Sequence, residues 1–272
     1  MTDHAKNWEQ VRDAGGLFFV SHSGGKDSQA MLTYLVDDLR IPADQLIVVH
    51  AHLGRIEWDG VEEHIHANDY GLGANVIGAT DKHGAPKTFL SMVAARGKWP
   101  SPSNRQCTSD LKRGPIYKFI RHTMKARGAT LAVNCTGMRA EESAARSKKT
   151  EWAANPALSK AGREVYEWMP IHAWSTDQVF DRIYAAGQVP FHAYGKRGEK
   201  NQRLSCVFCI MGSVNDHQNG ATHRPDLYAE VVRMEQEMDH TMFQGKTLEE
   251  RNGLTVAEAY ERHNLIPMEN VA

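Results

Sequence analysis

The sequence predicts an α/β fold: a mostly parallel, twisted, Rossmann-like sheet with helices on both faces and a small C-terminal helical segment. Short apolar runs rich in β-branched residues alternate with segments of helical periodicity, a pattern typical of βαβ units. A glycine-rich turn also follows the apolar run at 17–20 and precedes a helical segment. Because βαβ crossovers are right-handed, these units place successive strands in one parallel sheet.

The predicted elements follow in chain order. Strands are predicted at 17–20, 45–52, 75–78, 130–136 and 165–171. Helices are predicted at 4–14, beyond the glycine-rich turn, at 88–95, at 117–127, after a capping Ser175, at 227–238 and at 256–263. Two prolines predict a loop at 98–105. We expect a nucleotide-binding α/β domain at 1–190 and a C-terminal segment at 191–272.

The composition is that of an ordinary globular protein. Of 272 residues, 41% are apolar and 24% are charged, and 32 basic side chains nearly balance 33 acidic ones. A net charge of −1 gives no bulk electrostatic argument for nucleic-acid binding, which would need a local basic patch. The polar N-terminal segment and the lack of a long apolar run predict a cytoplasmic protein with no membrane partner.

The glycine-rich turn has the chemistry of a phosphate site. Its residues are Ser23, Gly24, Gly25, Lys26, Asp27 and Ser28. Two glycines permit close approach of a ligand, the first amides of the next helix lack internal partners, and Lys26 adds a positive charge. The Walker pattern is excluded because Lys26 is followed by Asp27 and Val20 replaces its first glycine. The dinucleotide pattern is excluded because its third glycine is missing.

Motif blocks between residues 15 and 212 resemble the PP-loop adenine nucleotide alpha-hydrolase superfamily. Within it they are similar to the phosphoadenosine phosphosulfate (PAPS) reductase-like family, close to the nucleotide hydrolases of DNA phosphorothioation. The blocks are the turn at 23–28, the segment at 107–116, the run GMRAEESAAR at 137–146, and the order Pro-Ile, Trp-Ser, Asp-x-Val at 170–179. The resemblance implies that the turn cradles the phosphates of an adenine nucleotide, either ATP or PAPS.

The resemblance also implies the site residues. The catalytic set is Lys26, Asp27, Arg139 and Arg146, and the nucleotide-binding set is Ser23, Gly24, Gly25, Lys26, Asp27, Ser28, His52, Gly137 and Arg139. Two guanidiniums can each grip a phosphate or sulfate, although ion pairs with Glu141 and Glu142 would also explain them. His52 stands where the family has an Asp, and it either contacts the nucleotide or is a buried histidine with a local hydrogen bond.

Four cysteines in a reducing compartment indicate ligation or catalysis rather than disulfides. Cys206 and Cys209 form a CxxC pair whose thiolates can reach one centre. The resemblance implies that Cys107 joins them to hold a [4Fe-4S] cluster, with zinc as the alternative and His217 or His223 as its fourth ligand. The fourth cluster ligand stays open between Cys135, a histidine and an open iron. A strand cysteine such as Cys135 is more commonly a packing residue.

The same segment departs from the iron-sulfur reductases at two positions. Thr108 replaces their second adjacent cysteine, and Leu111 replaces an Arg, whereas Lys112 matches a Lys. Two charged clusters have simpler interpretations as exposed helical faces. They are the His and Glu residues at 62–66, which also suggest a metal, and the basic residues at 117–127, which also suggest a polyanion.

Three functions remain open. In the first, the protein hydrolyses ATP between the α and β phosphates, with Mg²⁺ bridging the phosphates, and adenylates an acceptor oxygen that sulfur from a donor protein then displaces. The acceptor could be a nucleic acid, either a DNA backbone or a tRNA base, or a small metabolite. In the second, it reduces PAPS or adenosine phosphosulfate with thioredoxin, although no cysteine follows Cys209 to match the reductases' tail cysteine. In the third, it is a non-catalytic nucleotide-binding or cluster-binding subunit of a modification complex.

Overall fold

A computed structural model describes residues 6–160 and 162–266. The strands of these residues are β1 (Leu17–Ser21), β2 (Leu46–His52), β3 (Asn75–Thr80), β4 (Pro86–Lys87), β5 (Leu131–Thr136), β6 (Trp152–Ala154) and β7 (Glu164–Trp168). Within the described chain they form one seven-stranded sheet in the order β4-β3-β2-β1-β5-β7-β6. β1 pairs in parallel with β2 and β5, and β5 pairs in parallel with β7. β4 and β6 pair antiparallel with β3 and β7, so the predicted mostly parallel sheet is confirmed.

The α-helices of the described residues are α1 (Trp8–Asp13), α2 (Lys26–Thr33), α3 (Val61–Ala67), α4 (Phe89–Arg96), α5 (Gly114–Ala126), α6 (Ala144–Ser147), α7 (Thr176–Ala185), α8 (Val214–His223), α9 (Pro225–Met238), α10 (Leu248–Asn252) and α11 (Val256–Asn264). π-helical turns at Tyr34–Asp38 and Cys107–Arg113 extend α2 and lead into α5. Short 3₁₀ turns lie at Ala140–Glu142 and His192–Tyr194. None of the helices in the described part of the chain has the length and apolarity needed to cross a membrane.

The central strand β1 explains where the core lies. Its first four residues are buried on both faces, as expected for an apolar run in a parallel sheet. On one face Phe19 packs with α5, whose ring Phe119 meets it edge to face at 6.1 Å. On the other face Phe18 meets Trp168 at 6.2 Å, and Trp8 of α1 stacks on Trp168. Helices therefore cover both faces of the sheet, as the sequence predicted.

The described chain divides into two compact units built from interleaved segments. The first unit contains the described residues up to Ala51, Glu62–Ile77 and Pro115–Phe191. The second contains His52–Val61, Gly78–Gly114 and the described residues from His192 onward. The domain boundary expected at residue 190 stays a prediction. The chain passes from the first unit to the second between Phe191 and His192, close to that position.

Most predicted elements are present with shifted ends. The predicted strand at 165–171 ends at Trp168, and residues 4 and 5 of the first predicted helix lie outside the described residues. The sequence missed β4, β6, α6, α8 and α10. β4 and β6 are only two and three residues long, and α8 is a polar segment that contains a glycine. Elements this short or this polar have no clear period.

Candidate functional site

The phosphate turn connects β1 to α2 in the first unit. Gly24 has a φ of +74°, in the left-handed region that favours glycine. Gly25 is the extended N-cap of α2, and as a glycine it has no side chain to cap the first amides of this helix. An N-terminus without a side-chain acceptor offers N–H donors and the positive end of the helix dipole to an anion.

Internal hydrogen bonds hold the turn in shape. Ser28 Oγ donates to the Gly25 carbonyl at 2.8 Å and accepts from the Ser23 N–H at 3.1 Å. The Gly24 N–H donates to His22 Nδ1 at 3.1 Å, which places the proton of a neutral His22 on Nε2. Burial, with the nearby His64 and His50, lowers the pKa of His22 to about 3. The ring is therefore neutral at pH 7, and the turn's own hydrogen bonds fix its shape.

One carboxylate joins Lys26 to Arg139. Lys26 Nζ lies 3.1 Å from Asp27 Oδ2, and Arg139 Nε donates to Asp27 Oδ1 at 2.6 Å. The side chains of Lys26 and Arg139 are 5% and 3% exposed, so this is a buried charge network. Burial alone would lower the pKa of Arg139, but the carboxylates of Asp27 and Glu141 raise it. The guanidinium is thus a permanent cation that fixes Asp27.

Three further hydrogen bonds engage both terminal nitrogens of Arg139. Nη1 donates to Glu141 Oε2 at 2.5 Å and to the Trp174 carbonyl at 3.0 Å, and Nη2 donates to Thr176 Oγ1 at 3.1 Å. Arg146 pairs with Glu142 and keeps 29% of its side chain exposed. The ion pairs with Glu141 and Glu142 that the sequence suggested are therefore present. That either arginine clamps a substrate anion stays a prediction.

Gly137 brings the end of β5 against the phosphate turn. A Cβ at this position would lie 2.7 Å from the Asp27 carbonyl oxygen and 2.9 Å from the Ser28 nitrogen. Only glycine permits this contact, because both neighbours are backbone atoms. The sequence marked Gly137 as a residue near the ligand, and the structure adds a packing reason that no local pattern contained.

A network of polar side chains holds α2 through its residue Gln29. Gln29 Nε2 donates to Gln188 Oε1 and to the Val189 carbonyl, both at 3.0 Å. His64 Nε2 lies 3.3 Å from Gln29 Oε1, and His50 Nδ1 donates to the His22 carbonyl at 2.9 Å. His64, which the sequence grouped with a metal candidate at 62–66, therefore takes part in a hydrogen-bond network around the phosphate turn.

The three cysteines predicted as ligands lie in the second unit as free thiols. Cys206 is buried, whereas Cys107 and Cys209 are half-buried. Burial raises the pKa of the Cys206 thiol, Lys112 opposes this, and the charges of Cys209 and Cys107 raise it further. Burial likewise raises the pKa of Cys107, with Cys209 adding to the effect. The three thiols belong to one unit, and as soft donors they suit a metal group held by thiolates.

Cys135 lies in the core of the first unit. It is fully buried in β5, where its backbone pairs with Val20 on one side and Trp168 on the other. Burial raises its pKa well above the usual range, and the charge of Glu167 raises it further. The interpretation of Cys135 as a packing residue agrees with this position. Its role as a fourth cluster ligand stays a prediction.

A histidine and an arginine brace the CxxC loop. The Cys209 carbonyl accepts from the Gly212 N–H and from His217 Nε2, both at 2.7 Å. Arg251 Nη1 donates to His217 Nδ1 at 2.7 Å, and Arg251 Nη2 donates to the Gly212 carbonyl at 2.9 Å. Both ring nitrogens of His217 are thus engaged, so it would have to give up a bond to bind zinc. Burial lowers its pKa to about 4, and it is neutral at pH 7.

The structure also describes three other positions that the sequence analysis singled out: His52, His223 and Leu111. His52 is exposed rather than buried, and its Nδ1 lies 3.0 Å from Glu57 Oε2. Its contact with a nucleotide stays a prediction. His223 packs edge-on against Trp58 at 5.9 Å, and burial lowers its pKa to about 4. Leu111, where the reductases carry an Arg, is fully buried.

The comparisons with known proteins agree with this geometry. A family model described as the phosphoadenosine phosphosulfate reductase domain matches residues 18–210. The matched range includes the phosphate turn, the segment at 137–146 and all four cysteines. A search of curated proteins finds no match.

Proposed function

Since the chain belongs to the phosphoadenosine phosphosulfate reductase domain family, which binds an adenine nucleotide, we propose that it is an ATP pyrophosphatase of sulfur metabolism. An acceptor oxygen attacks the α-phosphorus of ATP, the bond to the bridging oxygen breaks, and pyrophosphate leaves. A sulfur nucleophile from a donor protein then takes the place of the adenylated oxygen, and AMP leaves with that oxygen. Mg²⁺ would neutralise the phosphates.

The N-terminus of α2 is the observation that carries this proposal. Its N-cap Gly25 has no side chain to occupy the first amides, and the buried Lys26 stands in its first turn. Donors fixed before the reaction stabilise charge that develops on a phosphoryl group without reorganising. Asp27 and Arg139 keep the Lys26 ammonium in place, so they act as positioning residues in this scheme.

Cys107, Cys206 and Cys209 would hold a [4Fe-4S] cluster, with zinc as the alternative. When bound, such a cluster would supply an iron site that can accept the incoming sulfur. The chain prepares Cys209 for ligation in two ways. The Met211 N–H points to Cys209 Sγ at 3.5 Å, and His217 holds the Cys209 carbonyl. Both contacts limit the movement of the loop that carries this ligand.

One observation favours sulfonucleotide reduction as a second candidate. Lys112, at a position where the reductases carry a Lys, interacts with the thiols of Cys107 and Cys206 and opposes the rise of their pKa. The fully buried Leu111 favours the first candidate instead, because the reductases carry a charged group there. The two candidates differ in substrate and product, so one assay separates them.

The test uses the full chain purified without oxygen. ATP with Mg²⁺ and PAPS with reduced thioredoxin are offered in parallel, and pyrophosphate and sulfite are measured. We expect pyrophosphate from ATP, lost in Lys26→Ala and kept in the control Lys148→Ala, which changes an exposed lysine of the same unit. Sulfite from PAPS would establish the reductase, and tight nucleotide binding without turnover would leave the non-catalytic subunit. Iron and sulfide content distinguishes a cluster from zinc.

A further inference from the structure

Positive charge is concentrated in two segments of the second unit. Residues 96–113 contain five cations and one acid, and residues 196–203 contain four cations and one acid. Together they carry a charge of +7, whereas the whole chain carries −1, so the other residues carry −8. The near-neutral total therefore hides two strongly basic segments of the same unit, which composition alone could not reveal.

Both basic segments lead directly to the thiols. Cys107 lies inside the first segment, and Cys206 follows the second by three residues. Both segments are therefore adjacent in sequence to the cysteines proposed to hold the metal group.

A cleft opens beside the CxxC pair within this unit. Its volume is about 830 Å³, which lies in the range of ligand sites. The first basic segment lines one side through Arg96, Lys98 and the residues up to Asn104, and the loop Asp239–Gly245 lines the other. Ile210, the neighbour of Cys209, also lines the cleft. A ligand in the cleft would therefore lie next to the CxxC loop.

The donors of the cleft suit phosphate groups. Arg96, Lys98, Ser101, Ser103, Asn104 and Gln244 line it, and these residue types contact phosphate oxygens in nucleic-acid complexes. Arg96 Nη1 is buried and finds no hydrogen-bond partner among the described residues. A buried donor of this kind gains a charge-assisted bond when an anion arrives.

We propose that the cleft and the two basic segments bind the phosphate backbone of a nucleic acid. A mononucleotide presents its charge at one place, whereas a chain of phosphates can contact cations spread over two segments. If the proposed function holds, the bound nucleic acid is also the sulfur acceptor, and this part of the inference rests on the proposed function. Binding of a nucleic acid at the cleft does not depend on it. The salt dependence of binding reports the number of phosphates contacted.

The experiment measures fluorescence anisotropy of labelled oligonucleotides with the full chain between 50 and 200 mM salt. Single-stranded DNA, RNA of the same sequence and duplex DNA are the three probes. We compare Arg96→Gln/Lys98→Gln with Lys148→Gln/Lys149→Gln, which removes the same charge from exposed lysines of the first unit. Lys98→Gln alone, at an exposed side chain, covers the case in which the double variant does not fold.

We expect at least one probe to bind, and the cleft variant to weaken it at least tenfold while the control does not. For a single strand the slope of log K against log salt should fall by about 1.4, because each lost phosphate contact removes about 0.7. Three results would overturn the proposal: no binding at 50 mM salt, equal losses in both double variants, or equal competition by polyglutamate. Binding of an ATP analogue and pyrophosphate release are measured separately, so the failure of either proposal is recognised independently.

Discussion

The phosphate turn and the CxxC loop are both braced by a buried neutral histidine, but they are built differently. In the turn, His22 accepts from Gly24, two residues away. In the CxxC loop, His217 comes from α8 and depends on Arg251 from α10. The first loop is held mainly by its own residues, whereas the second is assembled from three separate stretches. A loop of the first kind is recognisable in a sequence, and one of the second kind is not.

The largest expected effect comes from Arg139, a residue distant in sequence whose guanidinium holds Asp27 of the phosphate turn. Arg139→Ala removes the buried partner of Asp27 and Glu141, and breaking a buried pair costs about 3–5 kcal/mol. Arg146→Ala removes a more exposed pair and should cost less than about 1 kcal/mol. Chemical denaturation measures both free energies of unfolding. Equal losses would show that Arg139 does not hold the turn.

Substitutions at two glycines perturb the phosphate turn and the CxxC loop separately. In Gly137→Ala the new Cβ meets the backbone of the phosphate turn, and in Gly212→Ala it lies 2.6 Å from His217 Nε2. Each change should lower stability by about 1–3 kcal/mol through overpacking. We expect Gly137→Ala to weaken nucleotide binding and spare the alkylation rate of Cys209, and Gly212→Ala to do the reverse. Gly78→Ala, where a Cβ meets open space, is the control.

Arg251→Met tests the brace of the CxxC loop with a smaller effect. The variant loses the bonds to His217 and Gly212 and the stacking of the guanidinium 3.9 Å above Phe243. We expect a loss of about 1 kcal/mol and a several-fold faster alkylation of Cys209 in metal-free protein. Arg262→Met, at an exposed side chain, should change neither quantity. An unchanged alkylation rate in Arg251→Met would mean that the brace does not position this thiol.

Replacing His22 should have the smallest effect on the free energy of unfolding at neutral pH. In acid the effect should change with pH. The unfolded state takes up a proton below pH 6.5, whereas the folded state takes it up only near pH 3. The contribution of His22 to stability is therefore complete above pH 6.5 and is lost as the pH falls toward 3. His22→Asn keeps an acceptor for Gly24 and does not titrate. The gap in unfolding free energy between the two proteins should shift in favour of the variant between pH 7 and 5, and a constant gap would contradict this assignment.

The sequence was most informative where the necessary residues are adjacent. Apolar runs predicted β1, β2 and β5, and six consecutive residues predicted the phosphate turn, because these features depend on local periodicity and spacing. The contact of Arg139 with Asp27 joins residues 112 positions apart and has no local signal. Arg139 matched a family pattern and so suggested a substrate contact, whereas its donors meet protein acceptors.

The second unit was predicted less completely for the same reason. CxxC is a contiguous pattern, but the brace through His217 and Arg251 joins α8 to α10 across 34 residues. The neighbourhood of Cys107 and the CxxC pair was implied by resemblance rather than by spacing. Basic residues were visible as two runs, but only folding brings the first of them into a cleft with Ile210.

The interleaving of the two units has a consequence for synthesis of the chain. Cys107 is translated about one hundred residues before Cys206, which at cellular elongation rates is a delay of roughly 5–20 s. During that interval Cys107 is present without Cys206 and Cys209. The segments at 52–61 and 78–114 cannot complete the second unit until the residues from His192 onward have been synthesised. Loading of the proposed metal centre would therefore be a late event, after the ribosome has passed Cys209.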